Sequence, residues 1–198
     1  SRMDVCFAKQ FTDFLNRVEK LKSVRRHCVT ADGEPETVAA HSWRTALMAY
    51  LLKDELGAVD IDRVIRMCLI HDIGEAVTGD IPTFVKNGDH ERTEREAVGA
   101  LLKGLSEPLE KELLGMFAEM EAQETKEAKL YKALDRLEAV ISHNESDIAT
   151  WLPLEYELQQ TYAAANVKGF PALEALQEEA VRRTKEKIAE EASRQKDR

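Results

Sequence analysis

Residues 64–82 read VIRMCLIHDIGEAVTGDIP and join an apolar helix to a cluster of polar side chains. The apolar residues recur at helical spacing as far as residue 70. His71 and Asp72 follow directly, and burying an imidazole and a carboxylate there is costly unless both are paired or bind something. Glu75 follows His71 by four residues and Asp72 by three, so all three side chains can face one cavity if the helix continues. The segment therefore predicts a polar site inside a helical fold.

The sequence patterns before and after this segment predict a series of helices and no strand. Gly57 ends the preceding helix, Asp60 is the predicted N-cap of the helix that reaches His71, and Pro171 opens the last helix. The longest periodic segment spans residues 124–147, whereas turn residues predict a loop over 23–37. We expect an all-α fold of about seven or eight helices, with one domain over residues 1–180 and a charged helical tail over 181–198.

The charge balance excludes one class of partner. The 28 basic and 37 acidic residues give a formal net charge of −9. Such a surface repels phosphate backbones and anionic lipids, so we expect neither nucleic-acid polymers nor membranes as partners. A small anionic substrate is still compatible with this charge if a metal ion or a few cationic side chains reverse the field locally.

The three cysteines lie far apart in the sequence and form no CxxC pair. This sparse, odd count is typical of a reduced intracellular protein without a disulfide framework. The sequence also contains no apolar run of membrane-spanning length, and its first residues show no basic-then-apolar signal pattern. We therefore expect a cytoplasmic protein.

Two further polar residues occupy helical positions that are otherwise apolar. His41 stands at the start of the second predicted helix, and Asp135 lies within the apolar face of the longest one. Together with His71 and Asp72, they offer two imidazoles and two carboxylates from three helices. This mixed N/O donor set suits Mn, Co, Fe, Ni or Zn, and Mg less well. Each residue alone has an ordinary explanation as a cap or an ion pair, and it is their order that indicates a metal site.

That order resembles the signature of the HD superfamily of metal-dependent phosphohydrolases. Residues 38–42 (VAAHS) resemble the family's first-histidine motif. Residues 71–83 (HDIGEAVTGDIPT) are similar to the signature of one branch, the bacterial 5'-deoxynucleotidases and their eukaryotic HD-domain relatives. Residues 124–138 (ETKEAKLYKALDRLE) are similar to that branch as well. The resemblance covers the chain from about residue 5 to residue 165 and implies an HD-domain helical bundle.

The resemblance also implies an activity and a cofactor. The expected reaction is hydrolysis of deoxynucleoside or ribonucleoside 5'-monophosphates to nucleoside and phosphate by a metal-activated water. The residues implied to hold one divalent metal ion are His41, His71, Asp72 and Asp135. Glu75 and Asp80 are implied to hold and polarise the attacking water. Members of this family often form dimers, and the apolar first helix offers a surface for a homodimer.

Substrate contacts are implied by position as well. The family places an arginine about fifteen residues before the first histidine, which assigns phosphate binding to Arg26 or to its neighbour Arg25. Thr78 and Lys132 are implied to line the site. The bacterial deoxynucleotidases carry a tryptophan directly after this arginine, and it packs near the sugar and disfavours a 2'-hydroxyl. Here that position is His27, so the sequence does not predict a preference for deoxyribose.

Two alternative functions remain open at this stage. A two-metal HD oxygenase needs His90 or His143 as additional ligands, and we expect both to be surface histidines. A regulatory module that binds metal or nucleotide without turnover has no need to position water. The presence of both Glu75 and Asp80 therefore favours an enzyme.

The remaining conspicuous side chains are expected to be structural. Trp43 lies on an apolar helix and is predicted to pack in the core. Phe7, Phe11 and Phe14 are predicted to form core or dimer contacts. Cys68 lies on the buried helix and is predicted to be inert.

Overall fold

The computed structural model describes residues 2–198, with side chains from residue 5 onward, and most of them are helical. Within the described residues the α-helices are α1 (Arg2–Val18), α2 (Val38–Leu51), α3 (Ile61–Ile70), α4 (Glu75–Thr78), α5 (Gly88–Leu102), α6 (Glu107–Ala122), α7 (Lys126–Glu145), α8 (Glu155–Thr161) and α9 (Pro171–Lys196). Because α4 is a single turn, eight longer helices remain. The all-α prediction is confirmed.

The loop prediction for residues 23–37 is wrong. Two short antiparallel strands, β1 (Arg25–Val29) and β2 (Pro35–Thr37), form a hairpin in which Arg25 is opposite Thr37 and Val29 is opposite Pro35. Strands of five and three residues are too short to show a clear alternation of apolar and polar positions. The hairpin precedes α2 directly, and its first strand contacts α7.

Helices α2, α3 and α7 pack against one another at the centre, and α6 and α9 pack against α7. Thr37, Asp60 and Thr125 begin the three central helices, because each side chain accepts a hydrogen bond from a backbone N–H three residues later. The predicted cap at Asp60 is confirmed. Each leucine buried in this core contributes roughly 1.5–3 kcal/mol. The fully buried core residues include Val64, Met67, Cys68, Leu130, Ala133, Leu134, Leu137 and Val140.

A second apolar cluster fixes the turn that follows α3. Ile73 from this turn packs with residues of α5 and of the C-terminal half of α1. A Cβ atom on Gly74 would lie 2.8 Å from Cγ2 of Val98, so α5 can approach this closely only because residue 74 is glycine. Gly79 has a φ of 74°, which ends α4 and redirects the chain.

The last helix runs without a break from Pro171 to Lys196 and so continues across the predicted boundary at residue 180. Its buried residues are Leu173, Gln177, Ala180 and Thr184, so the helix contacts the bundle only as far as residue 184. Among the helices of the described residues, none combines the length and apolar character that crossing a bilayer requires.

Of the side chains predicted to be structural, one lies where the sequence did not predict it. Trp43 is 61% exposed on the outer face of α2, so its predicted core role is wrong. Phe7 and Phe11 stack on each other at the exposed face of α1, whereas Phe14 packs against the second cluster. Cys68 is fully buried, and burial raises the pKa of its thiol, as expected for an inert cysteine.

Candidate metal centre and substrate cavity

The four predicted ligands meet where the three central helices pack together. His41 lies on α2, His71 and Asp72 in the turn after α3, and Asp135 on α7. One donor atom from each lies within 4.8 Å of the other three. Oδ1 of Asp135 lies 2.7 Å from Nε2 of His41 and 3.0 Å from Nε2 of His71. The packing of α2, α3 and α7 therefore brings together groups that are far apart in the sequence.

The hydrogen bonds of His71 show that this donor set fits a cation. Its Nδ1 lies 2.7 Å from the carbonyl oxygen of Cys68, and because a carbonyl only accepts, Nδ1 carries a proton. In the neutral ring, the Nε2 lone pair therefore faces the carboxylates of Asp72 and Asp135, each 3.0 Å away. Burial lowers the pKa of His71, but these two charges outweigh it and raise the pKa well above its usual value. A proton or a metal ion must therefore lie between the Nε2 lone pair and the carboxylate oxygens.

His41 lies between two carboxylates, one at each ring nitrogen. Its Nδ1 contacts Glu138, and its Nε2 faces Asp135. Arg44 in turn donates to Glu138 over 2.9 Å, which fixes the carboxylate behind the ring. Burial and the charge of Arg26 lower the pKa of His41, but the hydrogen bonds to Asp135 and Glu138 outweigh them and raise it to about 8.

Glu75 lies beside the four-residue cluster and is only 2% exposed. Its Oε2 is buried and has no hydrogen-bond partner among the described residues. Burial, together with the charges of Asp72 and Asp80, raises the pKa of Glu75 to about 10. An unpaired buried carboxyl group of this kind is a candidate for moving a proton. Asp80 lines the same cavity from the segment that follows α4.

Three cationic side chains line the cavity and oppose its acidic groups. Arg26 extends from β1 and places Nη1 3.7 Å from Oδ2 of Asp72. The Nζ of Lys132 lies 3.5 Å from Oδ2 of Asp135. Lys86 also lines the cavity, although the sequence analysis did not single it out. This arrangement supplies positive charge beside the cluster despite the acidic composition of the chain.

Two predicted substrate contacts lie elsewhere. Arg25 is exposed, and Arg26, the next residue, is the one that reaches the cluster. The hydroxyl of Thr78 donates to the carbonyls of Gly74 and Gly79, and the lining of the cavity does not include it. The structure therefore selects Arg26 over Arg25 as the arginine that faces the site.

The cavity has a volume of about 270 Å³ and a lining of mixed chemistry. Its charged and polar lining includes His71, Asp72, Asp135, Glu75 and Asp80, together with Arg26 and His27 on β1. Apolar or aromatic side chains also line it, among them Ile81, Pro82, Phe84, Leu158 and Tyr162. A cavity that combines charged groups with apolar side chains suits a ligand that has both an anionic and an apolar part.

The prediction that His143 is a surface residue is wrong. It is 9% exposed, lines the cavity, and its Nε2 contacts the carboxylate of Glu155. Burial lowers the pKa of His143, although the charge of Glu155 opposes this. His90 instead caps α5, where its Nδ1 accepts a hydrogen bond from the backbone N–H of Asn87. Neither histidine belongs to the four-residue cluster that a two-metal centre would extend.

Sequence reasoning missed two carboxylates of the site. Glu138 lies one helical turn after Asp135, so its position on the same face of α7 was a usable signal. Glu155 opens α8 and reaches the cavity only because that helix packs back over it. No spacing rule connects Glu155 to the other residues.

The chain is similar in sequence and in fold to known proteins. A family model described as an HD domain matches residues 18–177. The chain is 37% identical to a Bos taurus protein named 5'-deoxynucleotidase HDDC2, covering 70% of this chain and 68% of that protein. The Homo sapiens protein of the same name is 34% identical, with coverages of 70% and 69%. A crystal structure from Magnetospirillum magnetotacticum MS-1, described as a predicted metal-dependent phosphohydrolase, matches with a TM-score of 0.76 and 34% identity, covering 89% of this chain and 96% of that one.

The two histidines predict how metal affinity depends on pH. Their pKa values in the metal-free fold lie at about 8 for His41 and well above the usual value for His71, so both hold protons at lower pH. A cation must displace those protons to reach Nε2. We expect the Mn²⁺ affinity measured by calorimetry to rise by at least about tenfold per pH unit from about pH 6 to about pH 8. An affinity that does not change over this range would contradict the assignment.

Proposed function

This chain belongs to the HD-domain family, and we propose that it is a metal-dependent phosphohydrolase that converts nucleoside 5'-monophosphates into nucleoside and phosphate. Relatives that share more than two thirds of their length with this chain are named 5'-deoxynucleotidases, which supports the substrate class. The cavity is the strongest support for the proposal, because its lining combines Arg26 and three residues of the four-residue cluster with apolar side chains.

We assign His41, His71, Asp72 and Asp135 as the residues that hold one divalent metal ion. Their mixed N/O donor set favours Mn or Co, or another transition metal such as Fe, Ni or Zn, over Mg. When bound, such an ion neutralises phosphoryl oxygens and lowers the pKa of coordinated water. The imidazoles are held ready for this role, since the carbonyl of Cys68 and the carboxylate of Glu138 fix both Nδ1 atoms.

Arg26 is the residue we assign to the phosphate. Its planar guanidinium can donate to two phosphoryl oxygens at once, which a lysine does poorly. Glu36 lies 3.5 Å from its Nε and supports the side chain from behind, leaving Nη1 directed towards Asp72. Lys132, which lies beside Asp135, adds positive charge at the same end of the cavity.

Glu75 and Asp80 are the residues we assign to the attacking water. Oε2 of Glu75 is buried and unpaired, so in its ionised form it can accept a hydrogen bond from a water and then its proton. Without a cation nearby, the raised pKa keeps Glu75 protonated at neutral pH, and a metal ion at the adjacent cluster would favour the ionised form that this task needs. Asp80 lines the cavity on the following segment and can orient the same water.

The apolar and aromatic side chains of the cavity lining suit the nucleoside. Their ring faces and aliphatic groups can bury a base, as in most small-molecule sites. Polymers are disfavoured as substrates by the net charge of −9. We further propose a cytoplasmic location, which three free cysteines support.

We also propose that the protein forms a homodimer through α1. Val5, Phe7, Phe11 and Leu15 lie on this helix and are between 45% and 71% exposed. Three of them recur every four residues, so they form a stripe along the helix. A second copy of the same stripe is a self-complementary partner, as a two-fold interface requires.

The proposed activity is tested by measuring phosphate release from a panel of deoxynucleoside and ribonucleoside 5'-monophosphates with Mn²⁺ or Co²⁺. We expect release by the wild-type protein. Glu75→Gln keeps the size of the side chain but removes the base, so the rate should fall by roughly 10²–10⁴-fold. The metal affinity of this variant should stay within a few-fold of wild type.

Glu178→Gln is the matched control, because Glu178 is an exposed carboxylate on α9 that lines neither the substrate cavity nor the pocket beside it. Its rate should equal that of wild type. Phosphate release from no nucleotide with any metal would overturn the proposed activity. A fully active Glu75→Gln variant would overturn only the role of Glu75.

The proposed dimer is tested by light scattering during size-exclusion chromatography. Wild type should elute with twice the chain mass, 44.8 kDa from two copies of 22.4 kDa. Replacing both Phe7 and Phe11 with glutamate places like charges at the contact, so the mass should fall to that of one chain. Replacing the exposed Trp43 with glutamate serves as the control and should leave the mass unchanged. A monomeric wild type would contradict the proposal.

A further inference from the structure

A side-chain amide in the wall of the substrate cavity has one polar atom without a partner in the protein. Gln159 on α8 is 5% exposed and lines the cavity. Its Nε2 donates to the carbonyl oxygen of Val140 and, over 3.1 Å, to Oδ1 of Asn144. Its Oε1 accepts no hydrogen bond from any described residue. No step of the proposed hydrolysis uses this side chain.

Two backbone carbonyls determine how this amide is oriented. A carbonyl only accepts hydrogen bonds, so the atom of Gln159 at the Val140 carbonyl is the NH₂ group. In the same way, Nδ2 of Asn144 donates to the carbonyl of Ala180. Oδ1 of Asn144 is then the atom that accepts from Gln159, and it also accepts from the hydroxyl of Thr184. Both N–H groups of Gln159 are therefore used, and exchanging its oxygen and nitrogen would place acceptors against acceptors.

The free oxygen of Gln159 is open to the cavity. Several polar atoms of the described residues are fully buried without a partner, and Oε1 of Gln159 is not one of them, so it keeps accessible surface. An amide usually offers a ligand both a donor and an acceptor. Because the donors of Gln159 are already used, a ligand in the cavity meets an acceptor alone.

Helix α7 shows how far this amide lies from the metal centre. Asp135, Ala139 and His143 follow one another at four-residue intervals on α7, and all three line the cavity, which therefore extends along the helix. Gln159 is bonded to the carbonyl of Val140, five residues after Asp135 and so about 7.5 Å farther along the helix axis. In a 5'-mononucleotide the pentose separates the phosphate from the base. With the phosphate at the metal centre, the base is the part of the substrate that extends towards Gln159.

We propose that Oε1 of Gln159 accepts a hydrogen bond from an amino group of the substrate's base, so that the protein prefers adenine over hypoxanthine and cytosine over uracil. This inference rests on the proposed nucleotide hydrolysis. In each pair, the second base carries a carbonyl where the first carries the amino group. That carbonyl would face Oε1 with another acceptor, and the amide cannot turn to donate to it while both N–H groups are bonded. Gln159 touches the substrate, and Asn144 is a positioning residue.

The test compares kcat/KM for adenosine with inosine 5'-monophosphate and for cytidine with uridine 5'-monophosphate. We expect wild type to use the amino member of each pair about tenfold more efficiently, mainly through KM, because one hydrogen bond is gained. Gln159→Met keeps the length of the side chain but removes the acceptor, so the preference within each pair should disappear. Equal use of both members of both pairs by wild type, or an unchanged preference in Gln159→Met, would overturn the proposal.

Further variants separate recognition of the base from general structural damage. Damage lowers the rate for both members of a pair, so the ratio within a pair reports recognition alone. Gln160→Met makes the same change at the next position of α8, which does not line the cavity, and should keep the wild-type ratio. Asn144→Ala frees one N–H group of Gln159, so the amide can turn and the ratio should fall. A wild-type ratio in Asn144→Ala would overturn the positioning role of Asn144.

A binding measurement on the wild-type protein keeps this inference separate from the proposed activity and from the folding of any variant. Adenosine and inosine lack the phosphate, so their binding needs no turnover. Calorimetry should show adenosine binding about tenfold more tightly than inosine. Equal or absent binding of the two nucleosides would overturn the base site. Absent phosphate release alone would overturn only the hydrolysis.

Discussion

One oxygen atom of Asp135 faces the Nε2 atoms of two imidazoles, and the centre of the protein is arranged around this contact. Neither His41 nor His71 can turn its Nε2 away, because both Nδ1 atoms are engaged on the far side of the rings. Without a proton or a cation, lone pairs would face each other in a buried site. The packing of α2, α3 and α7 thus creates a place that requires positive charge.

Carboxylates next to the four-residue cluster also lie close to positive charge. Arg44 pairs with Glu138 behind His41, and Arg26 lies between Glu36 and Asp72. Glu138, Glu36 and Asp72 are therefore matched by cations at short range, whereas Glu75 is not. The surplus of acidic residues lies largely on exposed helix faces. This explains how a chain with a net charge of −9 can accept a phosphate: the field at the cavity differs from the field of the surface.

The sequence predicted the parts of the site that follow local rules. Polar residues at apolar helix positions pointed to His41, His71, Asp72 and Asp135, because burial of such groups requires an explanation. Trp43 was misjudged for a different reason. His41 and Thr45 lie on the side of α2 that faces the protein core, so Trp43 lies on the exposed side. The number of apolar residues in a helix does not reveal which side is buried.

Other features depend on contacts between distant segments. The burial of His143 results from α8 packing over the end of α7, and nothing near His143 in the sequence signals it. The hairpin before α2 is likewise defined by pairing between strands too short to show a pattern. In both cases the missing information is tertiary, and both elements contribute residues to the lining of the cavity.

Whether one metal ion binds among His41, His71, Asp72 and Asp135 can be measured by anomalous X-ray diffraction from crystals soaked in Mn²⁺, because the signal locates each ion. We expect one peak per chain, within bonding distance of all four side chains, and no peak there in a folded Asp135→Ala variant. Two peaks per chain, or a single peak held by other residues, would show that the proposed ligand set is wrong.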